Sequence, residues 1–446
     1  MSVTNHFQED NMRWKTMLLL VIMGMTLLPI FASGEGEGPA STSPGGAEPV
    51  EITLLIDNQS PLDGLKAVAA AAEEKLGIKV TFEFRPGGPE GENYLKTRLV
   101  AGDMSDLSYF NSGSLFLALN PPQYFVDLTD EAFMDPVIAT FKQVVSVNGR
   151  VYAAPAGEIT AGGWFYNKKV YERLGLEVPH TWHELMANCE KIKAAGIPPI
   201  AASYKDSWTS QLILLADYYN VQRAYPDFHE DYTAHRAGFA DTPAARRGFE
   251  KLREVYERGF LSPHPASTTY ENALLMLANG EAAHYPMATV ALANLQAVAP
   301  DKVSDIGFFG QPGDDPSDHG VTIWLPAGLS IWKGSHHIDE AKRFLAFFLS
   351  QEGLDTYMRA QKPFGPFPIQ GISLPDDIFP ATRDLLSYID AGKTAPALEF
   401  ISPIKGPNLP QICVEVGLGL KSPVDGAREY DRDVEKQAKQ LGLPGW

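Results

Sequence analysis

The chain has 446 residues, of which 44% are hydrophobic and 21% are charged, which is the composition of an ordinary globular protein. This length is too great for one common core and suits two lobes of about 200 residues each. The formal net charge of −18 argues against a nucleic-acid partner, because phosphate binding needs clustered Lys and Arg. The same charge disfavours an anionic ligand, so a neutral ligand is expected.

The N-terminus has the pattern of an export signal. Arg13 and Lys15 precede an apolar run over 17–31, and small residues follow at 32–34. The run is shorter than the roughly 20 residues that a membrane-spanning helix needs. We therefore predict an export signal over 1–34 and a periplasmic or extracellular protein. The alternative is an uncleaved helix that anchors the chain in the membrane.

Beyond this segment, residues 35–49 contain no large apolar side chain and are predicted to form a flexible tether. The folded part begins at Val50 with a strand–helix–strand unit followed by further alternating elements. We predict strands at 50–56, 79–84, 106–110, 151–154, 163–166, 198–201, 282–285, 305–309 and 322–331. We predict helices at 62–76, 94–101, 181–195, 241–258, 270–279, 287–297, 338–349 and 352–360.

This alternation is typical of the α/β fold class, with open sheets covered by helices on both faces. In such sheets, ligands bind beyond the carboxyl ends of the strands, where loops converge.

The sequence carries no signature of catalysis. It lacks the GxSxG, P-loop, HExxH and CxxC motifs, and its two cysteines give neither a disulfide framework nor metal-ligand spacing. Cys189 lies on an apolar helical stripe and is predicted to be a buried thiol, while its pairing with Cys413 stays open. We predict no catalytic residue, no metal and no cofactor.

Several aromatic residues at predicted strand ends and turns point to carbohydrate. Sugars present apolar C–H faces ringed by hydroxyls, so their sites combine flat aromatic rings with polar side chains. For each aromatic residue the alternative is ordinary packing in a core. The candidates, taken with their polar neighbours, are Phe110 with Asn111 and Ser112, Trp164, Trp208 and Trp324.

A series of short motifs over 148–185 is more specific. Asn-Gly-Arg-Val-Tyr-Ala-Ala-Pro at 148–155 is followed by Phe-Tyr-Asn-Lys at 165–168, Leu-Gly-Leu at 174–176 and Pro-His-Thr-Trp-His-Glu-Leu at 179–185. In order and spacing this series resembles the extracellular solute-binding proteins of bacterial ABC importers, in particular the carbohydrate-binding, maltose-binding-protein-like group.

The resemblance implies the type II periplasmic-binding-protein fold, in which two α/β lobes are joined by a hinge and close on a ligand. It places one lobe at 50–158 plus 326–372 and the other at 159–325 plus 373–446. Crossovers are expected near Gly157–Gly163 and Thr322–Ala327, where glycines would let the backbone change its angles. The implied partners are a small sugar and the permease subunits of an ABC transporter, and the protein is expected to be a monomer.

The same resemblance suggests ligand-binding residues. Trp208 falls where a relative of this group has a ligand-contacting Tyr, and the segments at 110–112 and at Glu158 fall on other ligand-contacting segments. The sequence departs from the group at Val290, where a stacking Trp is usual. The predicted ligand-binding set is Asn58, Phe110, Asn111, Ser112, Glu158, Trp164, Trp208 and Trp324.

Two other functions stay open. The same scaffold binds amino acids, peptides or polyamines when the cleft holds Arg and Asp side chains that fix the two ends of a zwitterion. A secreted glycoside hydrolase would need a pair of facing carboxyl groups in one cleft.

Overall fold

The computed structural model describes residues 49–446. The predicted export signal over 1–34 and the predicted tether, apart from Pro49, lie outside the described residues. Over the described range, no helix combines the length and the apolar character that crossing a bilayer requires.

The strands of the described range are mostly short, and those of more than three residues pair in two sheets. In chain order they are β1 (Val50–Asp57), β2 (Ile78–Arg85), β3 (Leu107–Phe110), β4 (Ser146–Val147), β5 (Arg150–Val151), β6 (Ala154–Pro155), β7 (Thr160–Asn167), β8 (His284–Ala288), β9 (Ile306–Gly310), β10 (Val321–Trp324), β11 (Gly328–Ile331) and β12 (Thr394–Pro396).

The helices cover both sheets. In chain order they are α1 (Asp63–Leu76), α2 (Gly88–Ala101), α3 (Ser114–Leu117), α4 (Pro121–Tyr124), α5 (Ala139–Val144), α6 (Lys168–Leu174), α7 (Trp182–Ala194), α8 (Leu212–Ala216), α9 (Tyr218–Ala224), α10 (Phe228–Thr233), α11 (Pro243–Glu257), α12 (Tyr270–Asn279), α13 (Ala291–Val298), α14 (Ile338–Phe348), α15 (Gln351–Ala360), α16 (Pro380–Asp390), α17 (Leu398–Ile401), α18 (Leu409–Gly417) and α19 (Pro423–Gln440). Short 3-10 helices lie at Ala132–Met134, Ser207–Gln211 and Val303–Asp305.

The first sheet has the strand order β2-β1-β3-β11-β6. β1 pairs in parallel with β2 and β3, and β11 pairs antiparallel with β3 and β6. The strand β1 lies between β2 and β3, and its residues 54–56 are fully buried, so it reads as a continuous apolar run rather than an alternating one. The parallel strands β1, β2 and β3 therefore end at the same edge of the sheet.

The second sheet is built around β7 and has the order β12-β10-β7-β8. β8 and β9 both pair antiparallel with β7, and β10 pairs antiparallel with the first residues of β7. Helices α11, α18 and α19 pack together over one core on this side, while α12, α13 and α16 enclose another. The structure is thus a mixed α/β fold with two sheet-containing lobes, as the sequence predicts.

Three segments of the described chain run from one sheet system to the other. They are residues 156–159 between β6 and β7, residues 325–327 between β10 and β11, and residues 361–379 between α15 and α16. The first two are hydrogen-bonded to each other, since the Ala156 N–H donates to the Ala327 carbonyl at 2.9 Å. The third is tied to the first, because the Ile159 N–H donates to the Pro366 carbonyl at 2.7 Å.

The prediction of one strand over 322–331 is wrong. The structure divides this stretch into β10, in the second sheet, and β11, in the first. Pro326 lies between them, and because proline has no backbone N–H it cannot continue a hydrogen-bonded ladder. The interruption is what lets the chain cross between the sheets.

The strand predicted at 198–201 is also absent from the described structure. Ile200 forms isolated bridges to Leu261 and His284 but belongs to no strand. Pro198 and Pro199 precede it, and without N–H groups they cannot extend the pairing toward the N-terminus.

The glycines expected at the crossovers have a steric role in this structure. A Cβ atom added to Gly162 would lie 2.6 Å from the Trp324 ring, and one added to Gly328 would lie 2.7 Å from the Cβ of Ala153. Neither glycine has a positive φ. Close packing therefore requires glycine at both positions, and a hinge role for them stays a prediction.

Both cysteines are free thiols that are fully buried in the second lobe. Cys189 lies on α7 in one apolar cluster with Trp182 and Leu185, as the helical stripe predicts. Burial raises the pKa of both thiols.

A buried ion pair braces the core of the second lobe. Lys251 Nζ on α11 lies 2.5 Å from Asp217 Oδ1 and also donates to the Pro312 carbonyl at 2.8 Å. Both side chains are almost completely buried, and the ammonium group lies over the Trp182 ring. Removing one member of such a pair leaves the other charge in a medium of low dielectric constant.

We expect Lys251→Met to lower the free energy of unfolding by about 3–5 kcal/mol, because Asp217 loses its counterion. The double variant Lys251→Met with Asp217→Leu should recover much of this loss, and Lys436→Met at an exposed position of α19 is the matched control. Urea unfolding followed by circular dichroism measures all three. A single substitution that costs no more than the control would contradict this role.

Candidate functional site

A cavity of about 300 Å³ lies between the two sheet systems. On the side of the first sheet it is lined by residues at the carboxyl ends of the parallel strands, namely Asp57 of β1, Arg85 of β2 and Tyr109 of β3. Its other walls come from the three connecting segments and from the second lobe. This is the position at which open α/β sheets bind ligands.

The structure brings five of the predicted residues to this cavity. Asn111 and Ser112 line it just after β3, Glu158 and Trp324 line it at the connecting segments, and Trp208 lines it from the second lobe. The Ser112 hydroxyl already donates to the Pro326 carbonyl at 2.8 Å, which ties the end of β3 to the crossover. That these residues contact a ligand stays a prediction.

The structure places the other three predicted residues elsewhere. Trp164 is 0% exposed in the middle of β7, and its Nε1–H donates to Gln311 Oε1 at 2.5 Å. Phe110 is buried because successive side chains of a strand point to opposite faces, and its neighbour Tyr109 takes the cavity side. Asn58 is exposed to solvent, although its neighbours in sequence line the cavity.

Two indole rings line the cavity, and both are oriented by hydrogen bonds from their Nε1 atoms. Trp208 donates to Gln59 Oε1 at 2.7 Å, and its ring lies 5.2 Å from that of Tyr270. Trp324 donates to Glu399 Oε1 at 2.6 Å. Both side chains therefore line the cavity with their N–H groups already paired within the protein.

Three buried polar atoms on the cavity lining have no hydrogen-bond partner within the described residues. They are Arg85 Nε, Glu158 Oε1 and Gln211 Oε1. An unpaired buried polar atom costs about 1–3 kcal/mol, so native proteins rarely keep several of them together without a function. The three residues come from the first lobe, the crossover and the second lobe.

Glu158 has an unusual environment for a carboxyl group. It is 1% exposed, and burial raises its pKa to about 8, against the opposing effect of the Tyr357 hydroxyl and nearby backbone N–H groups. The Gln361 Nε2 donates to the Tyr357 hydroxyl at 2.6 Å, and that hydroxyl donates to Glu158 Oε2 at 3.2 Å. Burial therefore favours the protonated form of this carboxyl group.

Sequence reasoning missed several lining residues. Arg85, Gln59 and Gln211 line the cavity but were not predicted. The rule that ligands bind beyond the carboxyl ends of strands would have found Arg85, since it ends β2, and Gln59, since it follows β1. Gln211 carries no comparable signal, because it ends an irregular 3-10 segment. Val290, where the resemblance leads one to expect a Trp, also lines the cavity.

Two α/β lobes with a cavity at their strand ends define the class of two-lobed binding proteins with the type II periplasmic fold. The family model for bacterial extracellular solute-binding proteins matches residues 58–354, and the chain belongs to this family.

The chain is similar to curated members and to solved structures. It is 25% identical over 360 residues to the multiple sugar-binding protein of Streptococcus mutans, covering 78% of this chain and 81% of that protein. It is 25% identical over 328 residues to the melibiose/raffinose/stachyose-binding protein MelE of Bacillus subtilis, covering 69% and 72%. A solved chitin oligosaccharide binding protein shares the fold with a TM-score of 0.76 at 20% identity, covering 88% of this chain and all of that one.

The raised pKa of Glu158 predicts a particular pH dependence of stability. In the unfolded chain this carboxyl group ionises near pH 4.3, whereas in the folded chain it keeps its proton up to about pH 8. Between these values the unfolded state binds fewer protons, so stability falls as the pH rises and levels off above about pH 8. Glu158→Gln cannot ionise and should remove this contribution.

We expect the difference in free energy of unfolding between Glu158→Gln and the wild type to favour the variant by about 2–4 kcal/mol more at pH 8.5 than at pH 4.5. Urea unfolding at pH 4.5, 6.5 and 8.5 measures this difference, with Glu172→Gln at an exposed position as the control. We expect the control to have the same pH dependence as the wild type. If Glu158→Gln has it too, Glu158 is not protonated in the folded state.

Proposed function

We propose that this protein binds a neutral mono- or oligosaccharide in the cavity between its lobes, outside the cytoplasmic membrane, and delivers it to an ABC permease. The observation that carries the proposal is the cavity lining, which combines two indole rings with three unpartnered polar atoms of Arg85, Glu158 and Gln211. Apolar C–H faces of a sugar can stack on such rings, while its hydroxyls both donate and accept. The names of two relatives, which record sugar binding, support this class of ligand.

The proposal includes the mechanism by which the ligand is held. Residues 50–158 with 326–372 form one lobe, and residues 159–325 with 373–446 form the other. Closure is driven by contacts that a ligand makes to both lobes at once. Asn111, Ser112, Glu158, Trp208 and Trp324 supply predicted contacts. The protein acts as a monomer, and it makes and breaks no covalent bond. It is exported, and its N-terminal segment is either cleaved or kept as a tether.

An amino acid, peptide or polyamine is the second candidate ligand. Arg85 and Asp57 both line the cavity, and a pair of opposite charges is what a zwitterion needs. Both groups are partly engaged within the first lobe, however. The Arg85 guanidinium donates to the backbone carbonyls of Pro86 and Tyr109, and Asp57 accepts from the Ser60 hydroxyl.

A thermal-shift screen separates these ligand classes. The panel contains galactose, sucrose, raffinose, stachyose and chitin oligosaccharides beside arginine, a dipeptide and spermidine. We expect a saccharide to raise the melting temperature, since a ligand at 100 times its Kd stabilises a protein by about 2.7 kcal/mol. A shift with an amino acid or polyamine and none with any saccharide would contradict the proposal. Product formation from an incubated saccharide would indicate a hydrolase instead.

Trp208→Ala should weaken saccharide binding by about tenfold or more, because the cavity loses a stacking ring while the core is unchanged. Isothermal titration calorimetry measures the affinity, and circular dichroism checks the fold. Trp446→Ala is the matched control, since Trp446 is also half-buried but packs on His235 rather than lining the cavity. Unchanged affinity in Trp208→Ala would remove Trp208 from the site.

A further inference from the structure

A second, smaller cavity lies beside the large one, inside the second lobe. This recess has a volume of about 30 Å³, and its lining is mainly apolar, with Leu214, Val221, Phe239 and Ile404 among its residues. Four residues line both the recess and the large cavity, namely Leu215, Trp324, Glu399 and Lys405. This small group of side chains separates the two spaces, and Trp324 is its largest member.

The Trp324 ring is fixed by groups of the second lobe. Its Nε1–H donates to Glu399 Oε1 at 2.6 Å, and the other carboxylate oxygen of Glu399 is paired with Lys405 Nζ. The ring also packs on the backbone of Gly162, where a Cβ atom would lie 2.6 Å from it. Because all four residues belong to one lobe, their arrangement does not depend on how far apart the two lobes are.

The recess combines its apolar lining with one polar group. Tyr218 lines it and is 5% exposed, and the Tyr218 hydroxyl is buried without a hydrogen-bond partner within the described residues. The recess exceeds the roughly 10–15 Å³ that a water molecule needs, but it is far smaller than the roughly 150 Å³ of a cavity that binds benzene. It can therefore take a substituent of a ligand only if the space of the Trp324 ring is added to it.

We infer that Trp324 is a specificity-determining residue, because its ring ends the large cavity at the recess and excludes apolar substituents of a saccharide, such as an aryl or acyl group. The inference rests on the proposed function as far as the saccharide is concerned, whereas the contacts that fix the ring are made by protein groups alone. The surroundings of a truncated side chain relax only partly. Removal of the indole should therefore join the recess to the large cavity as an apolar side pocket.

Two kinds of ligand should respond differently to loss of the ring. Trp324→Ala should weaken binding of an unsubstituted saccharide, because a stacking ring is lost. The same variant should favour a saccharide with an aromatic substituent over the unsubstituted one, because the side pocket buries the substituent. A single methylene in an apolar pocket changes affinity by about 10–200-fold, so we expect the ratio of the two Kd values to shift by about tenfold or more.

The test is isothermal titration calorimetry of the wild type and Trp324→Ala with galactose, 4-nitrophenyl α-galactoside and 6-O-benzoylgalactose. The two derivatives carry their aromatic groups at opposite ends of the sugar, so the comparison covers both directions in which the sugar can lie. Trp208→Ala is the matched control, because Trp208 lines the large cavity but not the recess. It should weaken binding of all three ligands by a similar factor and leave the Kd ratios as in the wild type.

Refilling the recess separates the side pocket from a general loss of packing. Ala397 lines the recess and not the large cavity, so Trp324→Ala combined with Ala397→Leu should bring the Kd ratios back toward those of the wild type. A further measurement needs no saccharide. Nitrobenzene alone should raise the melting temperature of Trp324→Ala, but not that of the wild type or of the double variant. Circular dichroism checks the fold of each variant.

Unchanged Kd ratios for both derivatives in Trp324→Ala would overturn the inference. Shifted ratios that persist in the double variant, or an equal effect of nitrobenzene on Trp324→Ala and the wild type, would overturn it as well. Failure of the wild type to bind galactose or any other saccharide would contradict the proposed function, while the nitrobenzene comparison would still decide whether Trp324 closes off the recess.

Discussion

The three connecting segments constrain the rest of the structure, because they are hydrogen-bonded to one another and also form one wall of the cavity. Residues 156–159 bond to residues 325–327 and to the long segment 361–379. The first two have only a few residues each, so the two sheets are held close together at this point. The ends of the parallel strands of the first sheet then face the second lobe across a short gap, and the cavity occupies that gap.

This arrangement explains why a buried carboxyl group is tolerated. Glu158 lies in one of the connecting segments, where the lobes exclude water, and its neutral form avoids the cost of a buried charge. The relay from Gln361 through Tyr357 supplies one partner and holds the group toward the cavity lining. Arg85 and Gln211 likewise each have one buried polar atom without a partner within the described residues. The proposed ligand would meet polar groups that are already in place, and preorganisation of this kind reduces the entropy lost on binding.

The tryptophans show how local sequence and tertiary position differ in what they determine. Trp164, Trp208 and Trp324 were all predicted to bind the ligand, and only the resemblance to the family favoured Trp208 over the other two. Trp164 is on the central strand of the second sheet and is covered from both sides, so it became core. Trp324 reaches the cavity because Gly162, on the neighbouring strand, leaves room for its ring. Trp208 reaches it from the short 3-10 helix Ser207–Gln211, which belongs to neither sheet.

The amino-acid sequence by itself determined the α/β class, most element positions in the first lobe, the buried thiol of Cys189 and, through the motifs over 148–185, the family. These properties follow from local periodicity and short-range spacing, which a linear pattern records directly. Only the tertiary structure decided that 322–331 is divided between two sheets, that Phe110 and Trp164 turn away from the cavity, and that Gln211 lines it. The reason is that the cavity joins residues from 57 to 410, and which of two faces a strand residue shows to it depends on partners far away in the chain.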